Sequence, residues 1–353
     1  MSGAQIRDGQ LHVPVIDISS DRAEVAKQVD SAARTVGFMQ ITGHGIAQSV
    51  LDDFAAALDS FFGLDLETKL QYRCPPGINR GYTPPRTEAL TNSLGLATAA
   101  DLFEAINVGT SAADHPDLAL PEDVYTPNLY PLQVPSFEPA VTAYFAEAQR
   151  VARTMERIFG EALGLGTDYF GAFTDHSIDV LRMNNYRLPS PDVELEPDQL
   201  GMGAHTDYGI VTVLWADRVP GLEILGESGG TPVDEGVAGG GGGWYPVMPA
   251  PGALLINLGD ALARWTNDQW ISTMHRVAPP RVDEALVPRR SAAFFHDGNI
   301  DAVIATLPSC VDAEHPAHYE PVTVAEHLAE KLAGSRGGYL NPNASREAAR
   351  LSN

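Results

Sequence analysis

Residues 201–214 read GMGAHTDYGIVTVL and place a histidine and an aspartate two positions apart beside an apolar, β-branched run. Side chains two positions apart share one face of a β-strand, so the sequence predicts that His205 and Asp207 point the same way from a strand. Imidazole and carboxylate are both good metal ligands. On this pair alone, a histidine placed beside a carboxylate for structural reasons remains the other interpretation.

A third ligand must come from another part of the chain, and His275 in WISTMHRV is the best candidate. This run resembles a later core strand, which would bring His275 to the same end of the core as His205 and Asp207. Two histidines and one carboxylate on one face of an octahedron leave positions open, as in non-haem Fe(II) centres that activate oxygen. No cysteine lies near these residues to favour structural zinc.

The run PRRSAAFF, residues 288–295, places Arg289 and Ser291 on one face of a strand. A guanidinium and a hydroxyl on an interior face can hold a carboxylate through charge-assisted hydrogen bonds. The alternative is that the arginines are the solvent-facing end of an edge strand, because exposed arginines are the rule.

The run LRMNNYRL, residues 181–188, places Arg182, Asn184 and Tyr186 on one strand face. Polar side chains on a core strand are costly to bury without partners. They fit the wall of a wet cavity, or a sheet face that is open to solvent.

The composition limits the classes of partner. The chain has 353 residues, 44% of them hydrophobic, and a net charge of −23. This charge repels phosphate backbones and anionic membranes, so we expect neither nucleic acid nor a membrane as a partner. No obligatory protein partner is evident. Cys74 and Cys310 are the only cysteines and no signal peptide is recognisable, which predicts a cytoplasmic protein.

The order of patterns along the chain predicts a mainly β architecture with flanking helices (α+β). Many short β-branched runs separated by turns, from about residue 178, indicate a barrel or double-sheet core. The segments of the single unit that we expect are an N-terminal helical and strand region at 1–120, a long helix at 121–177, the β core at 178–300, and a C-terminal helical cap and tail at 301–353. Residues 74–120 are interpreted as long loops and residues 226–243 as a flexible, Gly-rich hairpin loop.

An ordered series of motifs resembles one known family. GAHTDYGIVTVL, PGLEIL, PAPGALLINLGDALARWTND, STMHRV and RRSAAFF occur in the order and spacing of the Fe(II)- and 2-oxoglutarate-dependent oxygenases of the isopenicillin N synthase-like superfamily. The N-terminal runs VPVIDIS and GFMQITGHGI are similar to that family's N-terminal segments. The resemblance covers about residues 12–300 and implies a double-stranded β-helix (jelly-roll) core.

The resemblance also implies the residues of the site. His205, Asp207 and His275 would bind Fe(II), Arg289 and Ser291 would bind the distal carboxylate of 2-oxoglutarate, and Tyr186 and Asn184 match the family's N-x-Y motif near the same cosubstrate. Asn185 and Arg187 depart from the tyrosine and proline of many plant members.

The activity expected from this resemblance is dioxygenation, most simply hydroxylation, of a C–H bond in a small-molecule metabolite, with O₂ consumed and succinate and CO₂ released. Desaturation and cyclisation remain open. A 2-oxoglutarate-independent oxidase of the same fold and a non-catalytic metal-binding jelly-roll protein are the alternatives. Candidate substrate contacts are Arg182, Arg80, Tyr82 and Phe103, each of which could instead be a packing residue.

Overall fold

The computed structural model describes residues 6–7, 10–73, 77–94, 98–187, 195, 199–226, 243–279, 281–282 and 285–337. The helices in these ranges are α1 (Arg22–Thr35), α2 (Gln48–Phe62), α3 (Leu66–Leu70), α4 (Phe137–Ala162), α5 (Asp260–Trp265) and α6 (Val324–Gly337). The strands are β1 (Ile6–Arg7), β2 (Gln10–Leu11), β3 (Val15–Asp17), β4 (Phe38–Thr42), β5 (Gly81–Thr83), β6 (Phe103–Gly109), β7 (Val180–Tyr186), β8 (Met202–His205), β9 (Val211–Ala216), β10 (Leu222–Gly226), β11 (Gly243–Pro246), β12 (Leu254–Leu258), β13 (His275–Val277), β14 (Arg281–Val282), β15 (Ala285–Leu286), β16 (Arg289–His296), β17 (Val303–Ile304) and β18 (Val322–Thr323).

Two sheets form the jelly-roll core. The larger has eight strands in the order β3-β4-β12-β9-β16-β7-β6-β5, and the smaller has four in the order β11-β10-β13-β8. Strands from the N-terminal region therefore extend both edges of the larger sheet. Except for the parallel β3–β4 pair, the neighbouring strands of both sheets run antiparallel.

The strands of the larger sheet direct apolar side chains to the helix side and the site candidates to the opposite face. On β16, Ala292 and Phe294 join the main hydrophobic cluster with buried residues of α1, α2 and α4, while Arg289 and Ser291 line the cavity on the opposite face. On β7, Met183 joins the same cluster. This alternation follows from the period-two geometry of a strand, and it leaves one face of the sheet for a site.

The long helix α4 holds this arrangement in place. Its buried side, which includes Val141, Tyr144 and Met155, is fully covered, and the helix packs against α1, α2, β9 and β16. The ring of Tyr144 stacks on Phe54 of α2 with the ring centroids 4.0 Å apart. Helix α4 lies within the segment 121–177, for which the sequence predicts a long helix, and α1 is followed by Gly37 with a φ of 68°.

The interpretation of residues 74–120 as long loops is wrong for part of that range. Seven of these residues form β6, a fully buried strand that pairs with β7 along its whole length. Its sequence, FEAINVG, lacks a clean alternation because Glu104 and Asn107 are polar yet buried. Glu104 is stabilised by an ion pair with Lys69 at 2.7 Å, a partner that a local pattern cannot reveal.

Gly226 and Gly243 face each other at the end of the antiparallel β10–β11 pair. The predicted flexibility of the loop between them concerns residues 227–242, which lie outside the described residues.

Candidate metal centre and cosubstrate site

His205, Asp207 and His275 converge at one end of the smaller sheet. One ligand atom from each of these buried residues lies within 4.8 Å of the others. The Nε2 atoms of His205 and His275 are 3.8 Å and 3.7 Å from Asp207 Oδ1. The structure thus brings together the three side chains that the sequence predicts as ligands.

The route to this convergence differs from the sequence prediction in one respect. His205 is the last residue of β8 and lies opposite His275, the first residue of β13. Asp207 is not on a strand, because the chain leaves β8 after His205 and turns. The backbone carbonyl of Asp207 accepts a hydrogen bond of 2.8 Å from the Asp260 N–H, which fixes the turn. The turn, rather than strand alternation, aims the carboxylate at the histidines.

Each histidine is held in the tautomer that a metal ligand needs. Nδ1 of His205 donates to the carbonyl of Gly203 at 2.8 Å, and Nδ1 of His275 donates to the carbonyl of Thr273 at 3.2 Å. Nε2 of both rings is then left with a lone pair directed at the shared point. Burial, followed by the neighbouring His275 ring, lowers the pKa of His205 to about 4, so the ring is neutral near pH 7.

The two oxygens of the Asp207 carboxylate have different neighbours. Its Oδ2 accepts hydrogen bonds from Thr212 Oγ1 at 2.5 Å and Asn257 Nδ2 at 2.6 Å. These two donors leave Oδ1 for the histidine side. Two neutral imidazoles and one oriented carboxylate oxygen form the donor set that suits Fe(II) with open coordination positions. The residues present therefore fit a non-haem iron.

A cationic anchor lies in the same cavity. Arg289 is 2% exposed, and its Nε and Nη1 atoms have no hydrogen-bond partner among the described residues. The guanidinium carbon lies 5.1 Å from the centre of the Tyr186 ring. A buried guanidinium with unsatisfied donors is costly unless an anion meets it. This observation fits a carboxylate ligand such as 2-oxoglutarate.

The register of β7 and β16 places all four predicted cosubstrate residues side by side. Arg289 faces Tyr186 across the strand pair, and Ser291 faces Asn184. All four are buried and line the cavity. Asn184 also accepts a hydrogen bond of 3.2 Å from Arg182 Nε through its side-chain oxygen.

One cavity contains both the three metal-ligand candidates and Arg289, and its volume is about 430 Å³. Helix α6 forms part of its wall with Ala325, Leu328, Ala329 and Leu332. This helix is tied to the turn that carries Asp207, because His327 Nε2 donates to the carbonyl of Tyr208 at 2.9 Å. An ion pair of 2.9 Å between Lys331 and Asp260 adds a second connection.

The four candidate substrate residues divide into two pairs. Arg182 and Arg80 line the cavity. Tyr82 instead donates its hydroxyl to Glu104 at 2.5 Å in a buried network with Lys69.

Phe103, the fourth candidate, packs in a small apolar cluster, where the Arg182 guanidinium carbon lies 4.9 Å from the centre of its ring. It packs against residues that line the cavity, among them Tyr186 and Met202, without lining the cavity itself.

Sequence reasoning did not single out Thr212, Asn257 or Asp297, all of which line the cavity. Thr212 and Asn257 did leave a signal, since each is an isolated polar residue within a buried apolar strand, IVTVL and LLINL. Asp297 directly follows the last residue of β16, and no local pattern marks it as part of a site.

Within the described residues, none of the helices combines the length and the apolar character that crossing a membrane requires.

Family models match two parts of the chain. Residues 13–133 match the N-terminal region described as "non-haem dioxygenase in morphine synthesis", and residues 178–298 match the 2OG-Fe(II) oxygenase superfamily. The second match contains His205, Asp207, His275 and Arg289.

Individual relatives agree with these models. The chain is 31% identical over 326 residues to a 2-oxoglutarate-Fe(II) type oxidoreductase of Emericella nidulans, covering 89% of this chain and 87% of the relative. It is 29% identical over 328 residues to a homoarginine-6-hydroxylase of Oryza sativa subsp. japonica, covering 92% and 93%. The crystal structure of a full-length Neurospora crassa protein in complex with alpha-KG and thymine superposes with a TM-score of 0.77 at 26% identity, covering 94% and 99%. A relative that shares nearly a third of its residues over almost its whole length, a matching fold and a His-Asp-His cluster lead to the same assignment: the chain belongs to the 2OG-Fe(II) oxygenase superfamily and is an Fe(II)/2-oxoglutarate-dependent oxidoreductase.

Proposed function

We propose that this enzyme hydroxylates an unactivated C–H bond of a small-molecule metabolite, with Fe(II) held by His205, Asp207 and His275. Arg289 and Ser291 bind the distal carboxylate of 2-oxoglutarate, and Tyr186 and Asn184 shape that end of the pocket. The observation that carries the proposal is the buried Arg289 guanidinium, two of whose nitrogens lack a partner in the described structure, in the cavity that also contains the three metal-ligand candidates.

When bound, iron and 2-oxoglutarate supply the activation of O₂ for attack on the C–H bond, with release of succinate and CO₂. The protein's own residues do the positioning. Thr212 and Asn257 orient the Asp207 carboxylate, and the backbone carbonyls of Gly203 and Thr273 orient the two imidazoles.

Strand pairing holds the two residues proposed to bind the cosubstrate in fixed positions. Arg289 and Ser291 lie on a central strand that is paired on both sides, with β7 and β9. A guanidinium fixed in this way presents its N–H groups to a carboxylate without having to be ordered first, which favours binding.

Helix α6 adds the apolar side chains of Leu328 and Leu332 to the cavity wall, which suits a substrate that presents an unactivated carbon. A cavity of about 430 Å³ has the size of a small-molecule site. The relatives' names refer to different compounds, among them homoarginine, validamycin A and gibberellin, so they support a small molecule as the class without indicating one compound. The name homoarginine-6-hydroxylase supports hydroxylation as the outcome.

We further propose that the segments 1–120, 121–177, 178–300 and 301–353 act as one unit. The sharing of the larger sheet between N-terminal and core strands supports this. We also propose a cytoplasmic location. The chain has only two cysteines, Cys74 and Cys310, and the thiol of Cys310 is free and buried, which suits a reducing compartment.

The test is an anaerobic titration. Fe(II) and then 2-oxoglutarate are added to the metal-free protein, and the visible absorption spectrum is recorded. We expect a metal-to-ligand charge-transfer band that is absent from Arg289→Ala at the same 2-oxoglutarate concentration. Bound iron without any band would indicate the 2-oxoglutarate-independent oxidase instead, and no iron binding would contradict the proposed ligands.

A second arm tests the reaction type. With oxygen present, succinate release that rises when a substrate is added, together with a product heavier by one oxygen atom, supports hydroxylation. A product lighter by two hydrogen atoms would indicate desaturation or ring closure.

A further inference from the structure

One carboxylate in the cavity wall has no partner among the residues that the structure describes. Asp297 lines the cavity and is partly buried, and in the described part of the chain its side chain makes no hydrogen bond or ion pair. A carboxylate that is partly removed from water and has no protein donor gains from a donor that a ligand brings to it.

The position of this carboxylate is built into the chain. Asp297 Oδ1 lies so close to Gly209 that a Cβ at Gly209 would overlap it. The same Cβ would lie 2.8 Å from the backbone oxygen of His296 and 2.9 Å from Asp297 Cα. Gly209 thus lets the end of β16 pack backbone to backbone against the turn that carries Asp207, and this packing places Asp297 beside that turn.

The nearest cation, His296, acts on Asp297 through its charge but makes no hydrogen bond to it. His296, its neighbour in the chain, directs Nδ1 to Asp179 at 2.6 Å and Nε2 to Glu156 at 2.9 Å. Both nitrogens of this imidazole are engaged on the helix side of the sheet.

The two arginines of the substrate side are also engaged. Arg182 forms an ion pair of 2.7 Å with Glu88, and Arg80 donates to the carbonyls of Thr110 and Asn79 at 2.7 Å each. The mouth adds negative charge, since the exposed Asp123 also lines the cavity. Among the described residues, none of the arginines of the cavity wall forms an ion pair with Asp297.

Electrostatics agree with the geometry. Burial, and then the nearby Asp179 carboxylate, raise the pKa of Asp297 to about 7, against the opposing effect of the His296 charge and with a smaller contribution from Asp207. A cationic group placed against Asp297 would restore the ionised form and remove the cost of its burial.

We propose that Asp297 binds a cationic nitrogen of the substrate, an ammonium or guanidinium group, and that the enzyme therefore oxidises a basic small molecule. This inference rests on the proposed function, because it takes the cavity beside the iron site as the substrate site. An acidic cavity mouth on a protein of net charge −23 also concentrates cations near the entrance.

The experiment is a calorimetric titration of the enzyme loaded with Fe(II) and 2-oxoglutarate in the absence of oxygen. The probes are two matched pairs: benzylamine with benzyl alcohol, and n-pentylguanidine with n-pentylurea. Each pair keeps size and shape and changes the charge. The proteins are wild type, Asp297→Asn and, as a control, Asp301→Asn, whose side chain is 75% exposed.

We expect both cations to bind the wild type about tenfold or more tightly than their neutral analogues, as a charge-assisted hydrogen bond predicts. The Asp297→Asn variant should lose this preference, and Asp301→Asn should keep it. Equal affinity of cation and analogue for the wild type would overturn the inference, whatever the variant does, and so would an unchanged preference in Asp297→Asn.

The same samples separate this inference from the proposed function. A charge-transfer band with no preference for cations overturns the cation site alone. Cation binding that depends on Asp297 in a protein that gives no band upholds the cation site and contradicts the iron and cosubstrate assignment.

Discussion

His205 and His275 lie directly opposite each other in the antiparallel β8–β13 pair, and their ring centroids are 4.3 Å apart. Because each Nδ1 is committed to a backbone carbonyl, neither ring can turn away to find another ligand. Replacing His275 by alanine leaves two ligands, too few to hold Fe(II) against water. We expect His275→Ala to lose stoichiometric iron, measured as iron per chain after anaerobic loading and desalting.

His315→Ala is the matched control, because that histidine is 68% exposed and pairs with Asp312 at the surface. It should retain about as much iron as the wild type. Full iron retention in His275→Ala would contradict its place in the ligand set.

The hydroxyl of Thr212 is a positioning group for Asp207. It donates to Asp207 Oδ2 at 2.5 Å, beside the second donor, Asn257. Thr212→Val keeps the volume and removes the donor, so the carboxylate should lose its fixed orientation. Outer-shell changes of this kind cost about 10–100-fold in metal affinity. We expect a loss of that size in the dissociation constant for Fe(II), measured with a competing chelator.

Thr212→Ser tests whether the hydroxyl is responsible, since it restores the donor in a smaller side chain. Its iron affinity should return close to that of the wild type. If the serine and valine variants bind iron equally poorly, packing rather than the hydrogen bond explains the loss.

Binding of 2-oxoglutarate should stabilise the protein through Arg289. A ligand at a hundred times its dissociation constant raises the free energy of unfolding by about 2.7 kcal/mol. We expect this increase in the wild type with metal bound, and almost none in Arg289→Leu. Without cosubstrate, Arg289→Leu should unfold no more easily than the wild type, because it removes a buried cation two of whose nitrogens have no partner in the described structure. Chemical denaturation with and without 2-oxoglutarate measures both effects.

Arg290→Leu provides the control for charge. Arg290 is the next residue, but it pairs with Asp59 at 2.6 Å on the other face of the strand. It should keep the full response to 2-oxoglutarate. An equal response in Arg289→Leu would remove Arg289 from the cosubstrate site.

The strand alternation was readable from the sequence because it depends only on the period of two. Arg289 and Ser291 on one strand, and Asn184 and Tyr186 on another, share a face as predicted. Their neighbours across the strands were not readable, since register depends on the whole sheet. The R-x-S and N-x-Y motifs were assigned to one cosubstrate only through the family resemblance.

Other features depended on tertiary contacts that no local pattern contains. Asp207 reaches the candidate metal site from a turn that is held by Asp260, a residue far along the chain. The sequence predicts a loop where β6 lies, because a glutamate does not indicate a buried strand. Glu104 is buried only because Lys69 and Asn185, which lie on other elements, pair with it. That Asp297 lacks a partner among the described residues is visible only when the elements around it have been placed.

His296 is a buried imidazolium between two carboxylates, and it makes stability depend on pH. Burial by itself lowers its pKa, but Asp179 and then Glu156 outweigh burial and raise the pKa to about 10. The unfolded chain releases this proton above pH 6.5, while the folded chain keeps it up to about pH 10. The stabilisation is therefore complete below pH 6.5 and is lost as the pH rises, by at most about 1.4 kcal/mol per pH unit.

His296→Gln leaves both carboxylates without a cation, and breaking a buried pair costs about 3–5 kcal/mol. We expect this difference in the free energy of unfolding between wild type and variant at pH 6, and a smaller difference at pH 9. Urea denaturation at both values measures it. The opposite sign, a difference that grows toward pH 9, would mean that His296 is neutral in the folded protein and that the carboxylates hold the proton instead.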